Sequence, residues 1–430
     1  MTSCVEDPGR LRDLAARIRT KEVSPVELVQ RCLDRIDQVQ PLAEPWREVD
    51  GEQALAVAHV REQQALRGEV LGPLHGIPFG VKDIIDVEGL PSRCNCQALE
   101  DRRPAQADAA VVQALKAGGA IALGKLHTTE FAFFDPSPAR NPYNTAHTPG
   151  GSSSGSGAAV AAGTVPMSLG TQTMASLNRP AAYCGVSAFK PSSRSISTYG
   201  VSPLAPTFDT VGFYGWSVDD AVYAYEAAMD RDYSPLGTTI ARDDARVIVI
   251  EDELIADMSE GMRRAFMAKR DQLDDAGCRV ETASAPVSFK RLGELHWNIM
   301  AYETGRSLAH VLDYPADKVG ERIRNLIAEG QARPTETYFS ERAELAVLQR
   351  QFFDAFDAAD GFLWPAAPGP APEGLTSTGD PRYIAPWTAL GGPIITLPAG
   401  LSDGMPVGCI LGGAPGSDHA LGDVARRIEA

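Results

Sequence analysis

Gly150-Gly151-Ser152-Ser153-Ser154-Gly155-Ser156-Gly157 runs without a break into Ala158-Ala159-Val160-Ala161-Ala162, and an apolar run, Val165 to Leu169, follows. Glycine and serine alone are linker composition. A linker rarely feeds a helix with no polar interruption, and Ala158 to Ala162 has none. The small residues predict a buried helix, and the apolar run predicts a buried strand. A Gly/Ser loop that opens such a helix offers backbone N–H groups to a ligand.

Outward from this stretch the same alternation continues. Ile77 to Val87 reads as a strand run, Val111, Val112 and Leu115 as one helix face, and Ala120 to Leu123 as a strand. Arg246 to Ile250 is another strand. Glu260 to Ala276 is a helix with Gly277 placed to end it. Strands return at Gly361 to Trp364, Pro393 to Leu397 and Val407 to Leu411. The pattern predicts an α/β fold, a large sheet covered by helices on both faces. Residues 1–70 read as a helical arm, with Ser24 capping a helix that begins at Pro25. Residues 71–430 form the main body. Within it, about 285–355 is mostly helical, holds Trp297, Tyr302, Tyr338 and Phe339, and is placed as a substrate-facing cap.

The chain has 430 residues, enough for a large core, with 44% hydrophobic and 22% charged residues, as in ordinary globular proteins. A net charge of −16 repels a nucleic-acid backbone or an anionic membrane on average, so neither partner is expected. The N-terminus carries no signal pattern, and no apolar stretch spans a bilayer. Seven scattered cysteines do not form a disulfide framework and fit a reducing cytoplasm. Cys94 and Cys96 lack two further ligands at metal spacing, so no metal and no cofactor are expected.

A second small-residue stretch, Gly170-Thr171-Gln172-Thr173-Met174-Ala175-Ser176, follows the predicted strand, and a lysine stands upstream in Gly80-Val81-Lys82-Asp83. A serine hydroxyl needs a base to become a nucleophile, and a buried neutral lysine can be that base. Three shorter patterns fail on context. Gly151-Ser-Ser153-Ser-Gly155 matches a nucleophile elbow, but turn sequence precedes it where an elbow needs a strand. Gly119 to Lys125 matches most of a P-loop, but Leu126 stands at the Ser/Thr position. Ser187-x-x-Lys190 has no Ser-Asp-Asn or Lys-Thr-Gly after it.

The combination is more specific. Leu74 to Asp83, Thr148 to Ser156 and Leu169 to Ala182 resemble the lysine, Gly/Ser and nucleophile segments of the amidase signature family. The likeness extends through Tyr183-Cys184-Gly185-Val186, Phe189 to Ser192, Asp209 to Gly212, Gly379 to Arg382, Ala385 to Trp387 and Pro393 to Pro398. It implies a large mixed twisted sheet and a Ser–cis-Ser–Lys triad, with Ser176 as nucleophile, Ser152 as bridge and Lys82 as base. It also implies an oxyanion hole from the backbone N–H groups of Thr173, Met174, Ala175 and Ser176. A neutral Lys82 requires a pKa about three units below the usual 10.4, through burial and positive neighbours. The family usually carries Gly-Gly where Met174-Ala175 stands, and often aspartate where Gln172 stands, although a Gly-Thr-Gln-Thr variant is known.

The expected protein is a cytoplasmic serine hydrolase of a small-molecule amide or carbamate (urethane), monomeric or homodimeric. Phe131, Phe134, Ser153 and Met174 are the expected pocket residues, with Phe133 beside them, and they favour an apolar or aromatic substrate. Two rivals share the signature. One is the glutaminase component of a tRNA-dependent amidotransferase, and the other is a catalytically silent binding protein.

Overall fold

The computed structural model describes residues 3–229 and 245–428. The strands among them are β1 (Trp46–Val49), β2 (Pro78–Lys82), β3 (Ile121–Leu126), β4 (Met167–Gln172), β5 (Ser187–Lys190), β6 (Thr210–Gly215), β7 (Arg246–Glu251), β8 (Arg279–Ser284), β9 (Gly361–Pro365), β10 (Ile394–Ser402) and β11 (Met405–Gly412). They form one sheet in the order β1-β3-β2-β4-β6-β5-β10-β11-β9-β7-β8. The sheet is mixed: β2 runs parallel to β3 and β4, and β7 to β8 and β9, while the other pairs are antiparallel.

The helices are α1 (Leu11–Arg19), α2 (Pro25–Ala43), α3 (Gly51–Arg67), α4 (Ala110–Ala117), α5 (Ser154–Ala161), α6 (Asn178–Cys184), α7 (Val218–Met229), α8 (Glu260–Asp275), α9 (Phe289–Ser307), α10 (Glu321–Ala332), α11 (Thr335–Ala355), α12 (Ala385–Leu390) and α13 (Asp418–Arg426). Strand side chains alternate between faces, and both faces here are apolar. Phe189 and Phe213 join one buried cluster, while their neighbours Ala188 and Tyr214 join another with α2, α3, α5 and α6. A sheet covered on both faces is therefore what the alternating pattern requires, and it matches the α/β expectation.

The structure adds four strands to the sequence expectation: β5 and β6, wholly buried in the middle of the sheet, and β1 and β8 at its edges. Residues 1–70 are not all helix: β1 pairs antiparallel with β3 and ties this segment to the sheet edge. Only Trp46 of its four residues is buried. An edge strand held by ladder bonds and one anchor shows no hydrophobic alternation to read. The polar edge strand β8 escapes sequence reading for the same reason. The Ile77 to Val87 run is a strand only as far as Lys82, because the amides of Ile84 and Ile85 both turn back to the Lys82 carbonyl, at 2.8 and 2.9 Å. Lys82 thus stands at the carboxyl end of a parallel strand, beside the carboxyl end of β4. Crevices at such ends are where open α/β sheets bind ligands. Ser24 caps α2 by accepting from the amides of Val26 and Glu27, with Pro25 first in the helix.

The Gly/Ser loop crosses closely over its surroundings. A Cβ on Gly155 would lie 2.3 Å from the Pro45 carbonyl oxygen and 2.6 Å from the His127 amide nitrogen. Both are backbone atoms, so neither can yield by a rotamer change. Gly155→Ala is expected to lower unfolding stability by about 1–3 kcal/mol, read as a lower urea midpoint. An unchanged midpoint would show that α5 can move off the β3 end freely.

Candidate active site

Lys82 is fully enclosed, and its Nζ lies 2.7 Å from Ser152 Oγ and 2.7 Å from Thr171 Oγ1. No carboxylate among the described residues forms an ion pair with it. Burial drives its pKa well below the usual 10.5, and Asp209 and Cys94 act weakly in the opposite direction. The expected positive neighbours are therefore not the cause; desolvation is. The nearby cation, Lys125, is itself committed, with Nζ 3.0 Å from Asp83 and 2.8 Å from Ser92 Oγ.

Ser152 follows a cis Gly151–Ser152 peptide. Gly151 is confined: a Cβ there would meet Thr378 Cγ2 at 2.6 Å and Thr129 Cγ2 at 2.9 Å. Arg179 fixes the same peptide. It is buried, and donates to the carbonyls of Gly151 (2.7 Å) and Gly379 (3.0 Å) and to Thr378 Oγ1 (3.0 Å). Sequence alone assigns Arg179 no role, because its partner carbonyls are distant in the chain.

Each of the four carbonyls of the loop Thr173 to Ser176 is held. His296 Nε2, from α9, donates to the Thr173 oxygen at 2.6 Å, and Thr388 Oγ1, from α12, donates to the Met174 oxygen at 2.6 Å. The Ala175 oxygen accepts from the Arg179 amide and the Ser176 oxygen from the Ser153 amide, both at 3.1 Å. Among the described residues, no protein acceptor meets the N–H of Thr173, Met174, Ala175 or Ser176. Four adjacent orphan donors beside a serine form a concentrated partial positive charge. Thr173 is also anchored by its hydroxyl, which donates to Asp209 at 2.6 Å.

Gln172 explains its own departure from aspartate. Its Oε1 accepts from the amides of Leu177 (3.0 Å) and Asn178 (3.1 Å) at the start of α6, while its Nε2 donates to Thr388 Oγ1 at 2.9 Å. An amide can do both; a carboxylate can only accept.

Ser152, Thr173, Met174, Ala175, Ser176 and Arg179 share one small cavity, completed by Phe133, Phe134, Leu204, Met300 and Pro381. The expected pocket residues divide here. Met174 and Phe134 line it. Phe131 does not: it lines a separate surface hollow with Asp86, Arg102 and Pro203. Phe131 (φ 47°) and Ala132 (φ 61°) are both left-handed and reverse the chain, so Phe133 takes its place. Ser153 is also absent from the cavity. It is fully buried, and its Oγ donates to the Thr171 carbonyl and accepts from the Thr171 amide, each at 3.2 Å, joining the Gly/Ser loop to β4. The other short patterns are structural: Lys190 Nζ donates to the Pro191 carbonyl, and Ser187 Oγ to the Thr396 carbonyl. All seven cysteines are buried thiols, and no three metal-ligating side chains cluster among the described residues. No described helix is long and apolar enough to cross a membrane.

A buried lysine on serine, beside a second serine under free amides, is an arrangement for acyl transfer, and likeness to known proteins gives it a class. The amidase family model matches residues 27–421, and the protein belongs to that family of C–N bond hydrolases. Its relatives include glutamyl-tRNA(Gln) amidotransferase A subunits. That of Exiguobacterium sibiricum is 32% identical, over 93% of this chain and 92% of its own. That of Geobacillus kaustophilus is 29% identical, over 97% and 96%. Among solved structures, one described as an amidase superposes with a TM-score of 0.88 at 28% identity, covering 98% of this chain and 99% of that one. A peptide amidase from Stenotrophomonas maltophilia superposes at 0.81 and 26%, covering 98% and 96%.

His296 yields a stability test. It is fully buried, stacked on Phe208 with ring centres 4.2 Å apart, and burial pushes its pKa down to about 4. An unfolded histidine titrates near 6.5. Between these values the unfolded chain binds more protons than the folded one, so stability falls as pH falls through this window. His296→Gln is expected to show a shallower loss of urea stability from pH 6.5 to 4.5 than the parent. Equal slopes would show that His296 is not neutral in the folded protein.

Proposed function

We propose that this amidase hydrolyses a non-peptide C–N bond, in an amide or a carbamate, through an acyl- or carbamoyl-enzyme on Ser176. The observation that carries the proposal is Lys82, enclosed, unpaired with any carboxylate among the described residues and 2.7 Å from Ser152 Oγ. Neutral Lys82 takes the Ser152 proton as Ser152 takes that of Ser176, and Ser176 Oγ attacks the carbonyl carbon. The oxyanion forms against the free N–H groups of Thr173 to Ser176, each such donor being worth about 2.7–4 kcal/mol in related chemistry. The C–N bond then breaks as the relay returns the proton to the leaving nitrogen. Water attacks the acyl-enzyme by the same route. The cavity walls, Phe133, Phe134, Leu204 and Met300, favour an apolar or aromatic substrate. Met300 belongs to α9, so the helical segment at about 285–355 faces the substrate.

The likeness to amidotransferase A subunits supports a second reading, glutamine hydrolysis within a complex. A panel of nitroanilide amides and carbamates, run beside ammonia release from glutamine, separates the two. Fluorophosphonate labelling at Ser176 separates either from a silent binding protein, since only an activated serine reacts.

Ser176→Ala is expected to abolish turnover, and Lys82→Ala and Ser152→Ala each to lower kcat by several orders of magnitude, without additivity in the double variant. Retained turnover in Ser176→Ala with loss in Ser153→Ala would reassign the nucleophile.

Only the neutral amine is a base, so kcat/KM is expected to rise with pH through one ionisation and then level off. That ionisation lies well below the ordinary lysine range. Activity that peaks in acid and falls above neutrality would contradict a lysine base.

A further inference from the structure

The cavity at Ser176 measures about 20 Å³, the room of about one water molecule. As it stands it leaves little room for a substrate beside Ser176. Two of its walls, Met174 and Pro381, also line a second and much larger space, a groove of about 500 Å³. The groove floor is apolar: Leu254, Phe289, Trp297 and Pro386 join Met174 and Pro381. Trp297 lies between the two spaces as well. Its ring stacks on Phe134, with centres 6.4 Å apart at 14°, and is 6.2 Å from Phe133.

The charges at the groove edge are largely spent. Arg291 donates to Glu344 at 2.8 and 2.7 Å and to Glu294 at 3.1 Å, and Arg382 is bound to Asp380 and Asp257. Lys290 also lines the groove and has no ion-pair partner among the described residues, but it is exposed to solvent, so the apolar lining suits an uncharged apolar group. Of the two shared walls, Pro381 is a ring with a fixed φ, whereas methionine has three rotatable side-chain bonds and adapts to what it touches.

We infer that Met174 is a movable partition, and that the groove beyond it is the outer half of the substrate site, taking an uncharged alkyl or aryl group carried by the amide or carbamate substrate. The inference rests on the proposed hydrolysis at Ser176. It assigns a reason to methionine where the family usually has glycine: a side chain that closes the reacting centre over small substrates and swings aside for extended ones.

Gly293, on α9, lines the groove, and a Cβ built there meets nothing within 4 Å. Gly293→Leu narrows the groove at a position that does not line the cavity, and replaces glycine by a better helix former, so the fold is expected to hold. Two nitroanilide or nitrophenyl-carbamate series, one lengthened on the acyl side and one on the amine side, are assayed on parent and variant. In one series, Gly293→Leu is expected to lower kcat/KM for the long members by about tenfold or more and leave the shortest within about twofold. An unchanged rank order in both series, or an equal loss at every length, would overturn the groove assignment while leaving hydrolysis intact. Binding of the same compounds to Ser176→Ala by calorimetry reads the groove without turnover. Affinity that rises with chain length in Ser176→Ala and no longer rises in Ser176→Ala/Gly293→Leu supports the inference even if the parent hydrolyses neither series; affinity independent of length overturns it.

Discussion

A lysine amine sealed from water without an acidic partner sets the terms for the rest of this molecule. Three lysines are fully buried here, and their partners separate their fates. Lys125 faces Asp83 at 3.0 Å and forms a buried ion pair. Lys190 donates to the Pro191 carbonyl, with Asp418 nearby, and burial brings its pKa down to about 7. Lys82 has two hydroxyls at 2.7 Å and no ion-pair partner among the described residues. Transfer of an unpaired charge into such a place is costly, and burial holds the Lys82 pKa well below the usual lysine value. The same isolation underlies the proposed role of Lys82 as a base.

The second requirement is a loop with its amides free, and the fold meets it from behind. His296, Thr388, and the amides of Arg179 and Ser153 bind the four carbonyls from Thr173 to Ser176. A peptide unit gripped at its oxygen cannot turn away the N–H of the next residue, so the grips on the Thr173, Met174 and Ala175 oxygens fix the N–H groups of Met174, Ala175 and Ser176. Donors fixed before the reaction need no reorganisation when charge develops, which is the basis of oxyanion stabilisation. Two of the four grips are side chains from α9 and α12, far away in the chain, so those helices position a loop whose proposed role neither carries in its own sequence.

Much of this is legible in the residues alone. The run of Gly150 to Ala162 reads as loop and helix, the lysine segment and the Gly-Thr-Gln-Thr segment are recognisable by resemblance, and the long apolar strands lie within a few residues of their expected bounds. The unread parts have different causes: β5 and β6 are short strands buried on both faces, with no polar alternation to mark them. β1 and β8 owe their place to ladder bonds at sheet edges and lack an apolar alternation. The roles of Arg179, His296 and Thr388 depend on carbonyl partners, and every residue has a carbonyl, so no residue type announces one.

The sequence by itself determined the chemical parts: two serines and a lysine in motifs dense enough to name a family, on a chain patterned for a covered sheet. Only the tertiary structure decided which groups face the reacting centre. Phe131 and Phe133 are two residues apart and equally aromatic, yet two left-handed residues turn one to a surface hollow and the other to the cavity. Ser152 and Ser153 are adjacent and identical, yet one meets Lys82 and the other ties its loop to β4. A sequence pattern records residue type and spacing; the direction of a side chain is set by backbone turns and by neighbours that are distant along the chain.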